Sequence, residues 1–374
     1  MSGGMKTSME KAFMIIPRGM VSHLDEALAL SETAGYRVAR VWKTRHPRRI
    51  GKGLIEEVAR SVEGDGVEVV IFYGDLQPSS RFNLMKRAGV RVIDRVMLIL
   101  EIFAKHAGSR EAKLQIEMAR ISHEIPMVRE MIRRSKMGEL PGFLGPGGYA
   151  IDSYYRHLTR RLARLRRELE DLRRLRRERF KGRSREGFRH VAIVGYASAG
   201  KTSLFNRLTG EDKPVGPEYF TTLHPKHKAV DRGWGRIVFV DTVGFIRDLP
   251  PEVVEAFYST LEEIVRADAA IFVIDVSEPL SYIEDRITAG METLGRIGAH
   301  GLPIIVAANK IDLLPPGELE SRLSRISLIA GRYPNTTPGV VPISALTGEG
   351  VEELVERVIG VLSDGGRRAW RVIR

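Results

Sequence analysis

The residues best suited to chemistry lie just past the middle of the chain. Gly195, Tyr196, Ala197, Ser198, Ala199, Gly200, Lys201 and Thr202 fit the spacing G-x-x-x-x-G-K-[ST], and Ser203 follows. An apolar run at 190–194 precedes them and a helix-forming run follows, which is the setting this pattern requires. Glycines let the backbone turn tightly, so that successive N–H groups converge on phosphate oxygens. A helix opening near Lys201 adds the positive end of its dipole. Lys201 is then placed to bridge the β- and γ-phosphates of a nucleotide, and the Thr202 hydroxyl to ligate Mg²⁺.

Further elements follow in order. Asp241-Thr242-Val243-Gly244 ends a β-type run at 237–241, 40 residues after Lys201. A carboxylate there can hold Mg²⁺ through water. The Gly244 N–H can meet the γ-phosphate, which makes the loop after it nucleotide-sensitive. Asn309-Lys310-Ile311-Asp312 ends a run at 303–308. The Asp312 carboxylate can accept from both N1–H and N2–H₂ of guanine. Adenine offers no such pair of donors and would leave a desolvated carboxylate unmatched, so GTP is selected over ATP. Ser344-Ala345-Leu346 follows a run at 340–343, and there the Ala345 N–H would meet the guanine O6. Between the first two elements, Phe220-Thr221-Thr222-Leu223 offers a hydroxyl to complete the Mg²⁺ shell and sense the γ-phosphate; Thr222 is the favoured one. Lys201, Thr222 and Gly244 are thus the expected catalytic positions, and Thr202, Thr222 and Asp241 the expected metal ligands. Phe245 follows Gly244, where Ras-like enzymes carry a glutamine that orients the attacking water. Phenylalanine cannot do this. The expectation is slow intrinsic hydrolysis of GTP to GDP, faster when a partner orders the switch loops.

Such motifs need strands that end where they begin. The region 188–363 supplies them, with β-type runs at 190–194, 237–241, 270–276, 303–308 and 340–343, most followed by a helix. This predicts a doubly wound P-loop domain. Residues 1–97 alternate in the same way, with runs at 12–16, 37–42, 67–73 and 90–93 between helical stretches, and predict a small parallel α/β domain. Its loop Arg49-Ile50-Gly51-Lys52-Gly53 could hold a phosphate or simply start a helix.

The region 98–187 is helical in pattern. Leu114, Met118, Ile121, Ile125, Val128 and Ile132 are spaced 4-3-4-3-4, and Leu158, Leu162, Leu165, Leu169 and Leu172 are spaced 4-3-4-3. Both read as seams of an antiparallel helical hairpin. Pro126 should kink the first helix. The stretch 137–151 between them holds five glycines and reads as a flexible tip. Residues 364–374 read as a short basic tail.

Charge is uneven. Residues 156–189 hold 15 Lys and Arg against 5 Asp and Glu, a net of +10 out of the chain's +12. A concentrated basic stripe suits nucleic acid or another polyanion; it also suits the solvated face of a long helix. The chain has 374 residues, 43% hydrophobic and none of them cysteine. That is enough for buried cores, and it excludes disulfides and thiolate chemistry. No run approaches the roughly 18 apolar residues of a membrane span, and the first residues hold no apolar signal core. A cytoplasmic location is expected, and a monomer, since the third region shows no obvious dimer patch.

Read together, the stretches GYASAGKTSLFNRL, FTTLHP, DTVGFIRDLP, AFYSTLEE, NKID and SALTGEGVEEL closely resemble the HflX GTPases, of the Obg–HflX class. RIGKG, RVIDR, LILEIFAKHA, KLQIEMA and GPGG before an arginine-rich helix extend the resemblance over nearly the whole chain. It implies an N-terminal α/β domain, a helical hairpin and a GTPase domain. It also implies binding to the large ribosomal subunit and its rRNA, with ribosome splitting in several members and the hairpin tip reaching toward the peptidyl transferase centre. Stacking and phosphate contacts are the modes expected for rRNA. Ser198 and His224 stand where the family usually has Asn and Asp, and the tip continues as Tyr149-Ala150-Ile151-Asp152 instead of a TQLE-like run. No counterpart of the extra C-terminal domain of some members is expected after the GTPase domain. Three other functions compete: an RNA-binding nucleotide switch in large-subunit assembly, an NTPase whose N-terminal domain holds ATP, and a basic helix lying on a membrane surface. The last is least favoured, because the helix's apolar stripe is used in pairing.

Overall fold

The computed structural model describes residues 9–137, 148–181, 188–212, 226–231, 236–242, 244–245, 261 and 263–371. The candidate positions Phe220, Thr221, Thr222 and Val243, and the tip at 138–147, lie outside the described residues. The chain divides into two compact units, one carrying the chain through Arg177 and one carrying the sheet that begins at Arg189.

In the first unit, β1 (Glu10–Pro17), β2 (Tyr36–Thr44), β3 (Val69–Phe72) and β4 (Arg91–Asp94) form a parallel sheet in the order β2-β1-β3-β4. From Ala12 to Pro17 every residue of β1 is buried, as is all of β3. Strands covered on both faces read as unbroken apolar runs, which is why they are visible in the sequence. The connecting helices are α1 (Leu24–Thr33), α2 (Lys52–Asp65), α3 (Pro78–Ala88) and α4 (Arg95–His106). Ile55, Val58 and Val62 of α2 and Leu84 of α3 pack on Phe13, Ile15, Val70 and Phe72. The Arg49–Gly53 loop serves as a helix start, with Gly51 the N-cap of α2 and the Arg49 guanidinium donating to Gln77 Oε1 at 2.7 Å.

Two long helices complete this unit, α5 (Arg110–Lys136) and α6 (Gly148–Lys181). Their seams meet as expected: Leu114, Ile121 and Val128 share a buried cluster with Ile151, Leu158, Leu162 and Leu165. The pairs Arg110–Glu168, Arg161–Glu117 and Tyr154–Glu124 run in opposite sequence directions, so the helices are antiparallel. Helix α5 continues through Pro126, although proline removes one i→i−4 hydrogen bond. Two expectations change. Gly148 to Ile151, read as loop, are the first turn of α6. Arg95–His106, grouped by sequence with the hairpin, is a separate helix; it buries Leu98, Ile99, Leu100 and Ile102 and contacts β4 and β3.

The second unit is a six-stranded sheet of β5 (Arg189–Gly195), β6 (Lys226–Asp231), β7 (Arg236–Asp241), β8 (Ala269–Asp275), β9 (Ile304–Asn309) and β10 (Thr336–Ile343). The order is β10-β9-β8-β5-β7-β6, and only β6 is antiparallel. Its helices include α7 (Lys201–Thr209), α8 (Leu280–Arg296), α9 (Pro316–Ala330) and α10 (Val351–Arg371). The order reverses at β5, which lies between β7 and β8. The crevice beyond the carboxyl ends of strands at such a point is where open α/β sheets bind ligands. Residues 364–371, read as part of a tail, continue helix α10. Among the described residues no helix is long and apolar enough to cross a membrane.

Candidate nucleotide-binding site

Four loops gather at the carboxyl ends of β5, β7, β9 and β10. The first is Gly195–Thr202, and two of its glycines are demanded by geometry. Gly195 has φ +143°, and a Cβ there would lie 2.4 Å from the Val273 carbonyl oxygen. Gly200 has φ +92°, and a Cβ there would lie 2.2 Å from Asn309 Nδ2. Ser198 holds φ +63°, a conformation that Asn adopts more readily than Ser, and it is the exposed residue at the turn. Gly200 is the N-cap of α7, which begins at Lys201.

Lys201 is buried and donates from Nζ to the Tyr196 carbonyl at 2.6 Å. A Cβ at Gly244 would stand 2.9 Å from that ammonium, so Gly244 and Lys201 are in close apposition. Burial lowers the Lys201 pKa to about 8; the Asp241 carboxylate opposes the shift and the Arg286 guanidinium adds to it. The Thr202 hydroxyl lies 3.2 Å from Asp241 Oδ2, and both side chains are buried. Thr242, grouped by sequence with the nucleotide contacts, turns its hydroxyl into the sheet and donates to the Ile193 carbonyl at 2.7 Å.

Phe245 forms a single bridge with Tyr196. Its N–H donates to the Gly195 carbonyl at 2.9 Å, and its carbonyl accepts the Ala197 N–H at 3.0 Å. The ring is fully buried, edge-on to Tyr196 and tilted against Phe272. It has no access to the place where water would attack a phosphate.

On the base side, Asn309 joins two loops. Its Nδ2 donates to the Ala199 carbonyl at 2.8 Å, and its Oδ1 accepts the Ala345 N–H at 2.9 Å. The Ala345 N–H, expected to face the guanine O6, is thus directed to Asn309 here. Lys310 takes φ +69° and pairs its ammonium with Asp275 Oδ2 at 2.5 Å. Asp275 Oδ1 accepts from the Ser277 N–H and hydroxyl. Asp312 is exposed in the turn that follows, open to a ligand. Ser344 is buried, its hydroxyl accepting the Thr347 N–H at 3.1 Å, while Leu346 is exposed. The Arg207 guanidinium caps the same loop through the Ala345 and Leu346 carbonyls.

Asp275, Ser277, Arg207 and Arg286 were not singled out by sequence reasoning. For Asp275 a signal exists: an acidic residue at the carboxyl end of a wholly buried strand. A cavity of about 960 Å³ in the same unit, lined by Pro303, Thr336 and Glu353 among others, contains none of the motif residues. The motif residues instead gather at the strand ends around the buried Lys201.

A G-x-x-x-x-G-K-T loop, its buried lysine, a Thr–Asp oxygen pair and an NKxD turn, gathered on one mostly parallel sheet, are the parts of a P-loop GTPase. Residues 190–310 match the family described as 50S ribosome-binding GTPase, 106–183 the GTP-binding GTPase middle region and 21–104 the GTP-binding GTPase N-terminal region. The chain is 52% identical over 363 residues to the GTPase HflX of Hyperthermus butylicus, covering 94% of this chain and 96% of that one. It is 36% identical over 336 residues to the GTPase HflX of Saccharolobus solfataricus, covering 89% and 94%. It also resembles a crystal structure of SsGBP with GDP, at TM-score 0.58 and 31% identity over 95% of this chain and 99% of that one. A second such structure is a Sulfolobus solfataricus GTP-binding protein in complex with GDP, at TM-score 0.54 and 30% identity over 95% and 99%. The chain belongs to the HflX family of GTPases: it binds guanine nucleotides and hydrolyses GTP.

Proposed function

We propose that the protein is a cytoplasmic, monomeric factor that binds the large ribosomal subunit in its GTP form and leaves on hydrolysis, acting in ribosome splitting, rescue or translation control. The observation that carries this reading is the outer face of α6. Leu158, Leu162, Leu165 and Leu169 are buried, while Arg156, Arg160, Arg164, Arg166, Arg167 and Arg174 are exposed. A guanidinium array of that density suits the phosphates and stacked bases of RNA. The family description matched at 190–310 names 50S ribosome binding, which supports the same partner.

Within the site, Lys201 would grip the β- and γ-phosphates, exchanging the Tyr196 carbonyl for phosphate oxygens. Gly244, already against that ammonium, would offer its N–H to the γ-phosphate. Asp312 would read guanine, with Asn309 holding the P-loop and the Ser344–Leu346 loop in register. The Thr202–Asp241 oxygen pair suits Mg²⁺, which is bound through one or two protein oxygens plus substrate phosphates; Thr222 would complete the set. The ion would neutralise charge on the phosphates.

Deleting residues 138–147 tests the division of labour. The expected result is lost ribosome-stimulated activity with guanine nucleotide binding intact; equal loss of both would contradict it. If the basic helix instead captures free rRNA and ignores mature subunits, a role in subunit assembly takes the place of splitting.

A further inference from the structure

Helix α8 brings one more cation to the phosphate side of the site. Arg286 Nη1 lies 2.6 Å from Glu278 Oε2, and the arginine side chain is only 16% exposed. Its guanidinium lies over the Tyr196 ring, 5.4 Å from the centroid. Its Nε is buried without a hydrogen-bond partner among the described residues. None of the motifs read from the sequence includes Arg286, and the hydrolysis chemistry set out above does not use it.

Its position matters because of what Tyr196 does. The Tyr196 carbonyl holds the Lys201 ammonium, and the Tyr196 ring meets Phe245 edge-on. A guanidinium stacked on that ring restrains the residue through cation–π attraction, which strengthens as the pair is desolvated. Its charge is close as well: Arg286 from α8 and Asp241 from β7 both act on Lys201, and Glu278 pairs with Arg286. Cations held in place beside a phosphate site stabilise the negative charge that develops there.

We propose that Arg286 is a positioning residue for GTP hydrolysis: anchored by Glu278 and stacked on Tyr196, it fixes the Tyr196–Lys201 contact and holds a second positive charge behind the phosphate site. This rests on the reading that Lys201 grips the β- and γ-phosphates.

The test uses the full chain with Arg286→Gln and Arg286→Lys, measuring kcat and KM for GTP separately, with thermal melting of each variant. Arg286→Gln is expected to lower kcat/KM by roughly tenfold, chiefly through kcat. Arg286→Lys keeps the charge and should recover only part of the rate, because an ammonium does not stack as a guanidinium does. A glutamine variant that melts lower but keeps kcat/KM would overturn the proposal, as would glutamine and lysine variants with identical kcat and KM. Lys201→Ala is the separate control: if it binds GTP as wild type does, the underlying reading of Lys201 fails whatever Arg286 does.

Discussion

Phe245 is paired through its backbone with Tyr196, and the two rings meet edge-on with centroids 6.2 Å apart. The residue after the DTVG element is therefore part of the floor beneath the P-loop. Placing a glutamine at 245 should not create a water-orienting group, because the side chain points into apolar packing with Phe272. Phe245→Gln is expected to cost about 3 kcal/mol of stability, combining lost burial with a buried amide. It should give no gain in intrinsic kcat. Chemical denaturation and single-turnover hydrolysis check both halves.

Asn309 links the P-loop to the Ser344–Leu346 loop through two hydrogen bonds, and a side chain at Gly200 would collide with its amide. Asn309→Ala should therefore weaken GDP and GTP alike, on the order of tenfold or more, and cost about 2 kcal/mol of stability. Calorimetric titration with each nucleotide would show whether the loss is shared. A loss confined to GTP would place Asn309 on the γ-phosphate side and contradict the geometry.

Lys201 gives the site a pH signature. Its pKa is lowered from 10.5 to about 8, chiefly by burial. Below that value the ammonium is available to phosphate; above it the charge is lost. The value of kcat/KM for GTP should be flat through neutrality and fall above about pH 8, since that parameter reports the free enzyme. Stability runs the other way. Between about 8 and 10.5 the unfolded chain binds more protons at this group than the folded one. The nucleotide-free protein thus gains stability from Lys201 as pH rises through that window. The two opposed trends can be read from steady-state kinetics and thermal melts across the same buffers.

Asp275 pins the Lys310 ammonium and accepts from Ser277, which holds the NKxD turn in a left-handed backbone. Asp275→Ala should lower guanine nucleotide affinity by about fivefold to tenfold while leaving kcat at saturation close to wild type, because the pair acts on binding and not on the reacting phosphate. Asp275→Asn should recover much of the affinity. Fluorescent-nucleotide titration separates these cases.

The sequence made much of this architecture legible, for physical reasons that differ by element. Strands β1, β3, β5, β8 and β9 are covered on both faces, so they stand out as unbroken apolar runs. Strand β6 was missed because Lys226 to Val230 lie at an antiparallel edge, with four exposed positions before a half-buried valine, and carry no alternation to read. The P-loop, Asp241 and Asn309 were visible because each is a fixed pattern at a strand end. Asp275 and Arg286 were not, because each acts on a residue distant in sequence, Lys310 and Tyr196 respectively, and only the folded chain brings them together. Thr242 shows the converse: it lies inside a nucleotide motif, yet its hydroxyl serves the sheet.

The most direct test of the ribosome-associated reading is GTP hydrolysis by the full chain with and without purified large ribosomal subunits, repeated in rising salt. Strong stimulation that fades steeply with salt is expected, as contacts between the α6 arginines and RNA phosphates are screened. Intact GTP binding with no stimulation at any salt would contradict it.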